Sequence, residues 1–260
     1  MKRTSGLTSV PSGLARFLAE PAVEKTWAAL GNFENGAARR ELAAALAKQQ
    51  HGLCAYCEID LVPQDIRVDH VVPQSDQSDG PRLSCDPDNL LAVCQGGSKQ
   101  PNSQSEDDPY RNPARFKAPR KRNLSCDAAR GNRPATDFID PRTVPASPPV
   151  MRVRQTGNLE PVPASCAQHT VAPETVAAHI DCLRLNVGRL MIARAAIFET
   201  LMNTASRIPE KIYSKYMSQR ATELLLPNAE GELPRFFTTY RSFFGPVAET
   251  VLTKPPHSWI

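Results

Sequence analysis

The sequence HGLCAYC at residues 51–57 opens the part of the chain that decides its fold. Three further phrases belong with it, namely VDHVVPQS at 68–75, DNLLAVC at 88–94 and CDAARGN at 126–132. Together they contain four cysteines in two separated groups, an Asp-His pair and an Asn between the groups, and an Asp directly after the last cysteine. Hydrolysis of a phosphodiester bond can use a divalent metal, carboxylates that bind it and a histidine base. The pattern therefore predicts a metal-dependent nuclease.

The cysteines of these phrases have the spacing of a zinc site. Cys54 and Cys57 form a CxxC turn in which two thiolates can face one ion, and zinc takes four ligands in a tetrahedron. We expect Cys94 and Cys126 to complete the set, with Cys85, which lies in a turn region of Pro and Asp, as the alternative. A small unit with long irregular connections buries little apolar surface. Bound zinc would therefore contribute directly to its folding free energy.

The composition is that of an ordinary globular protein. The chain has 260 residues, of which 41% are hydrophobic and 22% charged, enough for one large domain or two small ones. No hydrophobic run follows Met1-Lys2-Arg3, and no stretch reaches the roughly 18 apolar residues that span a bilayer. We therefore expect a cytoplasmic protein with no membrane partner. In that compartment the seven cysteines are not expected to form disulfides, and metal binding is the better use for the paired ones.

The distribution of residue types predicts an α+β fold that is mainly helical. Residues 12–31 and 34–50 have helical composition, and the chain becomes helical again at 175–204 and 209–226. The aromatic tail FFTTYRSFF, at 236–244, predicts a last helix. The short apolar run after Asp88 also favours the start of a helix, behind an Asp or Asn cap.

The central part of the chain is less regular. Proline clusters between Pro134 and Pro173, which argues against a long helix there, and residues 151–162 predict a β-hairpin that turns at Gly157-Asn158. We divide the chain into N-terminal helices (1–50), a small zinc-bound core with an inserted basic loop (51–135), a Pro-rich segment with the hairpin (136–168) and a C-terminal helical region (169–260).

Asp69-His70 is the candidate catalytic pair. A histidine with an ordinary pKa near ~6.5 can take a proton from water at neutral pH, so His70 is the expected base. On a regular strand Asp69 would point to the opposite side, unless the strand bends there. A lone Asp-His pair is more often a surface pair or an oriented core histidine. Its position between two cysteine groups is what favours catalysis.

The order CAYC at 54–57, DHVVP at 69–73, DNL at 88–90, Cys94 and CDAARG at 126–131 resembles the HNH endonucleases that have a four-cysteine zinc site. The resemblance implies a ββα-metal (HNH) core, in which two strands and a helix surround one catalytic divalent ion. It further implies that Asp69 and Asp127 ligate Mg²⁺ or Mn²⁺ and that His70 is the base. Asn89 would have a mostly structural part in catalysis, because its amide can bridge the loop that holds the base.

Two departures from the usual HNH pattern point to a narrower group. The second cysteine pair is split by residues 95–125, and the last HNH position is Asp127. The phrases HGLCAYCE, CQGGSKQ, CDAARGN and LRLNVGRLMIAR are similar to the HNH nucleases of Septu anti-phage systems (PtuB type) and of retron-linked relatives. This resemblance implies an antiviral DNA endonuclease that acts beside an SMC/ABC-like (PtuA-like) ATPase, and in retrons with a reverse transcriptase and its RNA and DNA.

Basic residues crowd the region between Arg111 and Arg133, where Asp127 is the only acid. Such a strip could contact phosphates without reading bases. The alternatives are a solvated loop without a ligand and, for the whole protein, a non-catalytic zinc-knuckle module that binds nucleic acid. A thiol redox protein would need a βαβ context that this sequence lacks. The residues expected to bind nucleic acid are Lys99, Arg120, Lys121, Arg122 and Arg130.

Overall fold

Helices dominate the chain, and two separate two-stranded sheets lie between them, so the predicted α+β class is confirmed. The structure, a computed structural model, describes residues 2–63, 66–100, 105–118, 120–134, 136 and 138–254. The helices of this part of the chain are α1 Ser12–Ala19, α2 Trp27–Asn32, α3 Ala37–Gln49, α4 Gly80–Leu83, α5 Cys126–Arg130, α6 Pro163–Gln168, α7 Pro173–Cys182, α8 Gly188–Ala205, α9 Glu210–Leu225, α10 Phe237–Phe244 and α11 Pro246–Leu252. The strands are β1 Arg67–His70, β2 Leu90–Val93, β3 Met151–Val153 and β4 Leu159–Pro161.

The first sheet lies at the centre of the molecule. β1 and β2 pair antiparallel, with Arg67 opposite Val93 and His70 opposite Leu90. The helix predicted after Asp88 is wrong, because the four apolar residues of β2 form a strand that is buried on both faces. A short apolar run has no periodicity that separates a buried strand from a helix.

The side chain of Gln50 continues the hydrogen bonding of β2. Its amide nitrogen donates to the carbonyl of Ala92 (2.7 Å), and its amide oxygen accepts from the N–H of Ala92 (2.8 Å). Gln50 follows directly after α3, so this pair of bonds fixes the N-terminal helices against the sheet. Buried backbone groups of β2 are thereby satisfied at the strand's second edge.

The N-terminal segment contains more breaks than its composition predicts. The helix expected over 12–31 is two helices, α1 and α2, because Pro21 lacks an N–H and disfavours helical geometry before it. α3 begins at Ala37 and not at residue 34, since Glu34 and Asn35 have φ of 50° and 53°. α1 packs on α3, and the Glu41 carboxylate accepts from the N–H of Gly13 (2.9 Å) at the start of α1.

The C-terminal half confirms the hairpin and most of the helices. β3 and β4 pair antiparallel, and the chain turns between them at Gly157, whose φ is 84°. The helix expected over 175–204 is broken between α7 and α8, where Arg184 has φ of 49°. Asn186 lies in this break and holds the hairpin, accepting from the N–H of Leu159 (2.8 Å) and donating to its carbonyl (2.9 Å).

Two arginines of α8 are structural. Arg189 is buried and donates to the carbonyls of Ala114 (2.5 Å) and Asn123 (3.1 Å), and so fixes the insertion between the last two cysteines of the pattern. Arg194 is buried over the ring of Phe236 and donates to the backbone near the break. The insertion therefore rests on the C-terminal helices. Over the described ranges, no helix combines the length and the apolar character required to cross a bilayer.

Candidate metal and nuclease centre

Four cysteines form one buried cluster in the core. The Sγ atoms of Cys54, Cys57, Cys94 and Cys126 all lie within 4.8 Å of one another, with 3.7 Å between Cys57 and Cys94 and 4.0 Å between Cys54 and Cys126. A tetrahedral zinc ion with Zn–S bonds near 2.3 Å separates its sulfur ligands by about 3.8 Å. The donor set therefore fits zinc. Cys85, the alternative ligand, is not part of the cluster and packs with the N-terminal helices.

A tight turn brings Cys126 beside Cys94 in spite of the insertion between them. Gly96 has φ of 60°, its carbonyl accepts from the N–H of Ser125 (2.9 Å), and its N–H donates to the Cys94 sulfur (3.3 Å). A Cβ at position 96 would lie 2.2 Å from the carbonyl oxygen of Ser125, so only glycine permits this approach. The backbone of the CQGG phrase thus joins the two halves of the split cysteine pair.

Three of the four predicted catalytic residues, Asp69, His70 and Asp127, line one cavity of about 500 Å³ next to this cluster. Asp69 and His70 enter it from β1, and Asp127 enters it from α5. His70 is the last residue of its strand, so the alternation of a regular strand need not separate it from Asp69. The spatial condition on which the nuclease interpretation depends, an imidazole and two carboxylates around a common space, is met.

His70 is buried and its ring orientation is fixed. Its Nε2 lies 2.9 Å from the carbonyl oxygen of Ser84, which can only accept, so Nε2 carries the proton and Nδ1 carries the lone pair, 3.4 Å from the side-chain nitrogen of Gln74. The ring packs edge-on against Trp27 at 4.8 Å. Burial lowers the pKa of His70, and the positive charges of Arg39 and Arg130 lower it further against the bond to Ser84. A neutral imidazole at pH 7 follows from this.

Both aspartates are held by neighbouring side chains. Asp69 accepts from the Tyr56 hydroxyl (2.5 Å) and pairs with Arg130 (3.4 Å), and Asp127 pairs with Arg67 (3.1 Å). Burial raises the pKa of Asp69 to about 6, although the charge of Arg130 opposes this effect. The two carboxylates supply oxygen ligands, which Mg²⁺ and Mn²⁺ prefer.

Asn89 does not line the cavity but ties the loop that follows β1. Its amide oxygen accepts from the N–H of Val72 (2.7 Å), and its amide nitrogen donates to the carbonyls of Val72 (3.0 Å) and Leu83 (3.1 Å). Because Ser84 accepts from His70, the same loop that Asn89 holds also orients the imidazole. The part of Asn89 in catalysis stays a prediction.

The residues expected to contact nucleic acid are dispersed. Arg130 reaches the cavity but is buried, and it donates to the carbonyl of His70 (2.5 Å). Lys99 is exposed and lies over the ring of Tyr110 (4.6 Å), outside the cavity wall. Arg120, Lys121 and Arg122 are exposed on the insertion, and they too lie outside that wall.

Four cavity residues are not predicted from the sequence. Arg39 and Arg40 line it from α3, Trp27 from α2 and Arg67 from β1. Arg67 lies two positions before Asp69 on the same strand, so strand periodicity could have found it. The other three are distant in sequence from every motif, and only the packing of the N-terminal helices on the sheet brings them to the site.

Comparison with known proteins gives the class: this chain belongs to the HNH endonuclease family. A relative that shows this is the protein from Escherichia coli named "Retron Ec83 putative HNH endonuclease". The two sequences are 30% identical over 239 residues, and the match covers 83% of each chain. No family model matches the chain.

Proposed function

We propose that this protein is a metal-dependent endonuclease that hydrolyses phosphodiester bonds of DNA in the cavity beside the cysteine cluster. The observation that carries the proposal is the convergence of Asp69, His70 and Asp127 on one space. Membership of the HNH endonuclease family supports the same reaction class.

His70 is the proposed general base. Its Nε2 is anchored on the Ser84 carbonyl (2.9 Å), which leaves Nδ1 as the nitrogen that can accept a proton. Nδ1 lies 3.4 Å from the Gln74 side-chain nitrogen, a distance at the limit of hydrogen bonding. A water in the cavity can therefore give its proton to Nδ1 as it attacks phosphorus. General-base catalysis of this kind contributes roughly 10²–10⁴ in rate.

Asp69 and Asp127 are the proposed ligands of a catalytic Mg²⁺ or Mn²⁺. Such an ion, when bound, stabilises negative charge on the phosphoryl oxygens and on the leaving oxygen. Arg67 and Arg130 already lie against these carboxylates, so guanidinium groups are also within reach of a phosphate bound there. Asn89 acts indirectly, by fixing the loop that orients His70.

The cysteine cluster is the proposed structural zinc site. Its ligands come from the turn before β1, from the end of β2 and from the start of α5. Zinc bound there would fix α5 against the sheet, and so fix Asp127 relative to Asp69 and His70. In this arrangement the zinc supports the geometry of the site and takes no part in proton transfer.

The name of the relative associates it with a retron. We propose that the present chain is likewise the nuclease effector of an anti-phage defence system of the Septu or retron type. Its partners would be an SMC/ABC-like (PtuA-like) ATPase and, in a retron, the reverse transcriptase with its RNA and DNA. The aromatic tail at 236–244 is a poor docking surface for them, because Phe236, Phe237 and Phe244 are core residues.

A plasmid cleavage assay tests the proposed reaction. Supercoiled DNA is incubated with Mg²⁺ or Mn²⁺ and with wild-type protein or the His70→Ala and Asp127→Asn variants. We expect each variant to lose at least about a hundredfold in cleavage rate. His169→Ala is the matched control, since the His169 ring bonds the Pro148 carbonyl (3.1 Å) and lies outside the cavity wall.

The outcome separates the enzyme from a binding module. Undiminished cleavage by His70→Ala would reject His70 as the base. A wild-type protein that binds DNA but does not cut it under any metal condition, alone or with its partners, would instead favour the non-catalytic zinc-knuckle module.

A further inference from the structure

The cavity has a second wall that the catalytic chemistry does not use. One wall consists of β1 and α5, which present the aspartates and His70. The opposite wall consists of α2, α3 and the turn between them, which present Trp27, Arg39 and Arg40. The N-terminal helices therefore form part of the site and do not only support the sheet.

The side chains around the cavity carry more positive than negative charge. Its two aspartates are each paired with one arginine, Asp69 with Arg130 and Asp127 with Arg67. Arg39 and Arg40 add two further positive charges, and no ion pair involves either of them in the ranges that the structure describes. A cavity lined in this way attracts an anion.

The acids nearest to these arginines in sequence are engaged elsewhere. Glu34 pairs with Arg16 of α1 at 2.8 Å, and Glu41 accepts from Ser12 and Gly13 at the start of α1. Both carboxylates are therefore bonded to residues of α1. Two guanidinium groups are left facing the cavity without a compensating charge from their own segment.

Packing restricts the side chain of Arg39 before any ligand binds. Its guanidinium lies over the Trp27 ring, 4.5 Å from the centroid, and its Nη1 is 3.3 Å from where a Cβ on Gly31 would stand. Desolvation lowers the pKa of Arg39, and the like charge of Arg67 lowers it further. An anion that binds between two like charges reduces their mutual repulsion, so its binding is favoured at such a position.

Arg40 is restricted in a similar way. Its Nη1 donates to the carbonyl of Asn35 (3.1 Å) and lies 3.0 Å from where a Cβ on Gly36 would stand. Gly31 and Gly36 have no Cβ, so the two guanidinium groups can pack close to the backbone at these positions. Groups that are already ordered lose less conformational entropy when they bind a ligand.

We propose that Arg39 and Arg40 bind the phosphodiester backbone next to the cleaved bond, so that the strand is held between the N-terminal helices and the metal-binding wall. This inference rests on the proposed nuclease function. Guanidinium groups bind phosphate oxygens in a bidentate, charge-assisted manner and carry no base sequence information by such contacts. The two arginines are positioning residues, because His70 and the aspartates supply the chemistry.

Binding measurements test the proposal directly. A fluorescein-labelled duplex of mixed sequence is titrated with full-length protein in buffer without added Mg²⁺ or Mn²⁺, at several NaCl concentrations. For the Arg39→Gln/Arg40→Gln double variant we expect Kd to rise about tenfold. We also expect the slope of log K against log salt to fall by about 2, since each phosphate contact contributes about 0.9.

A matched control removes the same charge elsewhere. Arg207 and Lys215 are exposed, lie outside the cavity wall and have no recorded ion pair in the described part of the chain. The Arg207→Gln/Lys215→Gln variant should retain the wild-type Kd and salt slope within about twofold. Equal losses in both double variants would overturn the proposal, because they would reflect net charge alone.

A second readout follows the cavity itself. Trp27 and Trp259 are the two tryptophans of the chain, so a Trp259→Phe background leaves Trp27 as the single tryptophan, which is excited selectively over tyrosine. We expect the duplex to change Trp27 emission, and we expect the Arg39→Gln/Arg40→Gln change to shift that titration by the same factor as Kd. If Trp27 emission stays constant while DNA binds, the DNA binds outside the cavity and the proposal is overturned.

Kinetics separate this proposal from the proposed function. In the cleavage assay the arginine double variant should show a raised KM with kcat within about threefold of wild type, whereas His70→Ala should lose kcat. If His70→Ala is inactive and the arginine variant has wild-type KM, only the present inference fails. If His70→Ala cleaves normally, the proposed base fails, whereas the binding measurements still decide on Arg39 and Arg40.

Discussion

Tyr56 is a single residue that joins the cysteine cluster to the proposed catalytic site. It lies inside the CxxC turn, between Cys54 and Cys57, and its hydroxyl donates to Asp69 (2.5 Å). The ring is buried and leaves the hydroxyl little freedom to move. A carboxylate held in this way keeps its second oxygen oriented, as expected of groups that surround metal ligands.

We expect Tyr56→Phe to weaken the response to Mg²⁺. Loss of one hydrogen bond to a carboxylate costs about 1–3 kcal/mol, which corresponds to a Mg²⁺ requirement raised roughly 5- to 150-fold. The measurement is cleavage rate as a function of Mg²⁺ concentration. Tyr213→Phe is the control, because Tyr213 is exposed on α9. A Mg²⁺ curve identical to wild type would show that Asp69 does not depend on Tyr56.

His179 makes folding stability depend on pH. It is fully buried, and its Nδ1 accepts from the N–H of Ile139 (3.1 Å). Burial lowers the pKa of His179 to about 3, whereas an unfolded histidine has its ordinary value near ~6.5. The unfolded chain therefore binds the extra proton first. The stability from the neutral ring is complete above pH ~6.5 and declines as pH falls toward 3.

As pH falls, we expect the wild type to lose folding stability more steeply than His179→Asn. The asparagine keeps an acceptor for the Ile139 N–H but cannot be protonated. Each pH unit below ~6.5 should cost the wild type up to about 1.4 kcal/mol more than the variant. Urea unfolding at pH 7.5, 6 and 5 measures the difference. Parallel pH curves for the two proteins would contradict this account.

Among the elements, the turn at Gly96 is the one on which the split cysteine pair depends. Gly96→Ala would place a Cβ 2.2 Å from the Ser125 carbonyl oxygen and 2.8 Å from the Ala128 Cβ, so the backbone would have to move. We expect the variant to lose zinc and to unfold at least about 2 kcal/mol more easily.

The comparison for this prediction is Gly188→Ala, at the start of α8. A Cβ there would meet no atom within 4 Å, and helix propensity favours Ala over Gly. Zinc content by metal analysis and the urea midpoint are measured for both variants. Full zinc content in Gly96→Ala would mean that the two halves of the pair tolerate separation.

Elements with strong local signals could be predicted from sequence. The hairpin turn at Gly157-Asn158 and the amphipathic helix α9 are examples, because turn chemistry and helical periodicity are local properties. The strand β2 could not be predicted in this way, since its strand geometry depends on burial between two layers. The break between α7 and α8 could not be predicted either, because Arg184 has positive φ without being a glycine, and the tertiary contacts of Asn186 and Arg194 that stabilise the break leave no local signal.

For the whole molecule, the cysteine cluster is the feature that holds distant segments together. Cys126→Ser would leave three thiolates, and we expect it to lose zinc and to destabilise the protein by several kcal/mol. Cys85→Ser and Cys182→Ser are controls, since both residues are buried outside the cluster. They should retain zinc and cost about 1 kcal/mol or less. Zinc content and urea unfolding give the result, and normal zinc in Cys126→Ser would contradict the ligand assignment.

The candidate site was predictable only where its residues share a motif. The cysteines and the Asp-His…Asp pattern lie in phrases whose residue types already suggest metal and proton chemistry. Arg39 and Arg40 lie outside these phrases, in a helix whose composition is ordinary. Their position at the cavity follows from the packing of α3 on β2, and long-range packing leaves no signature in a single sequence.

β2 contributes side chains to two different cores. Leu90 and Ala92 pack with α1, α2 and α3, whereas Leu91 and Val93 pack with the cysteine cluster and the C-terminal helices. A recombinant fragment that starts at residue 51 would expose the first of these faces to water, and a swap of residues 1–50 with those of a distant homologue would mismatch it. Deletion mapping of this nuclease should therefore find no minimal fragment that lacks the amino-terminal fifth of the chain.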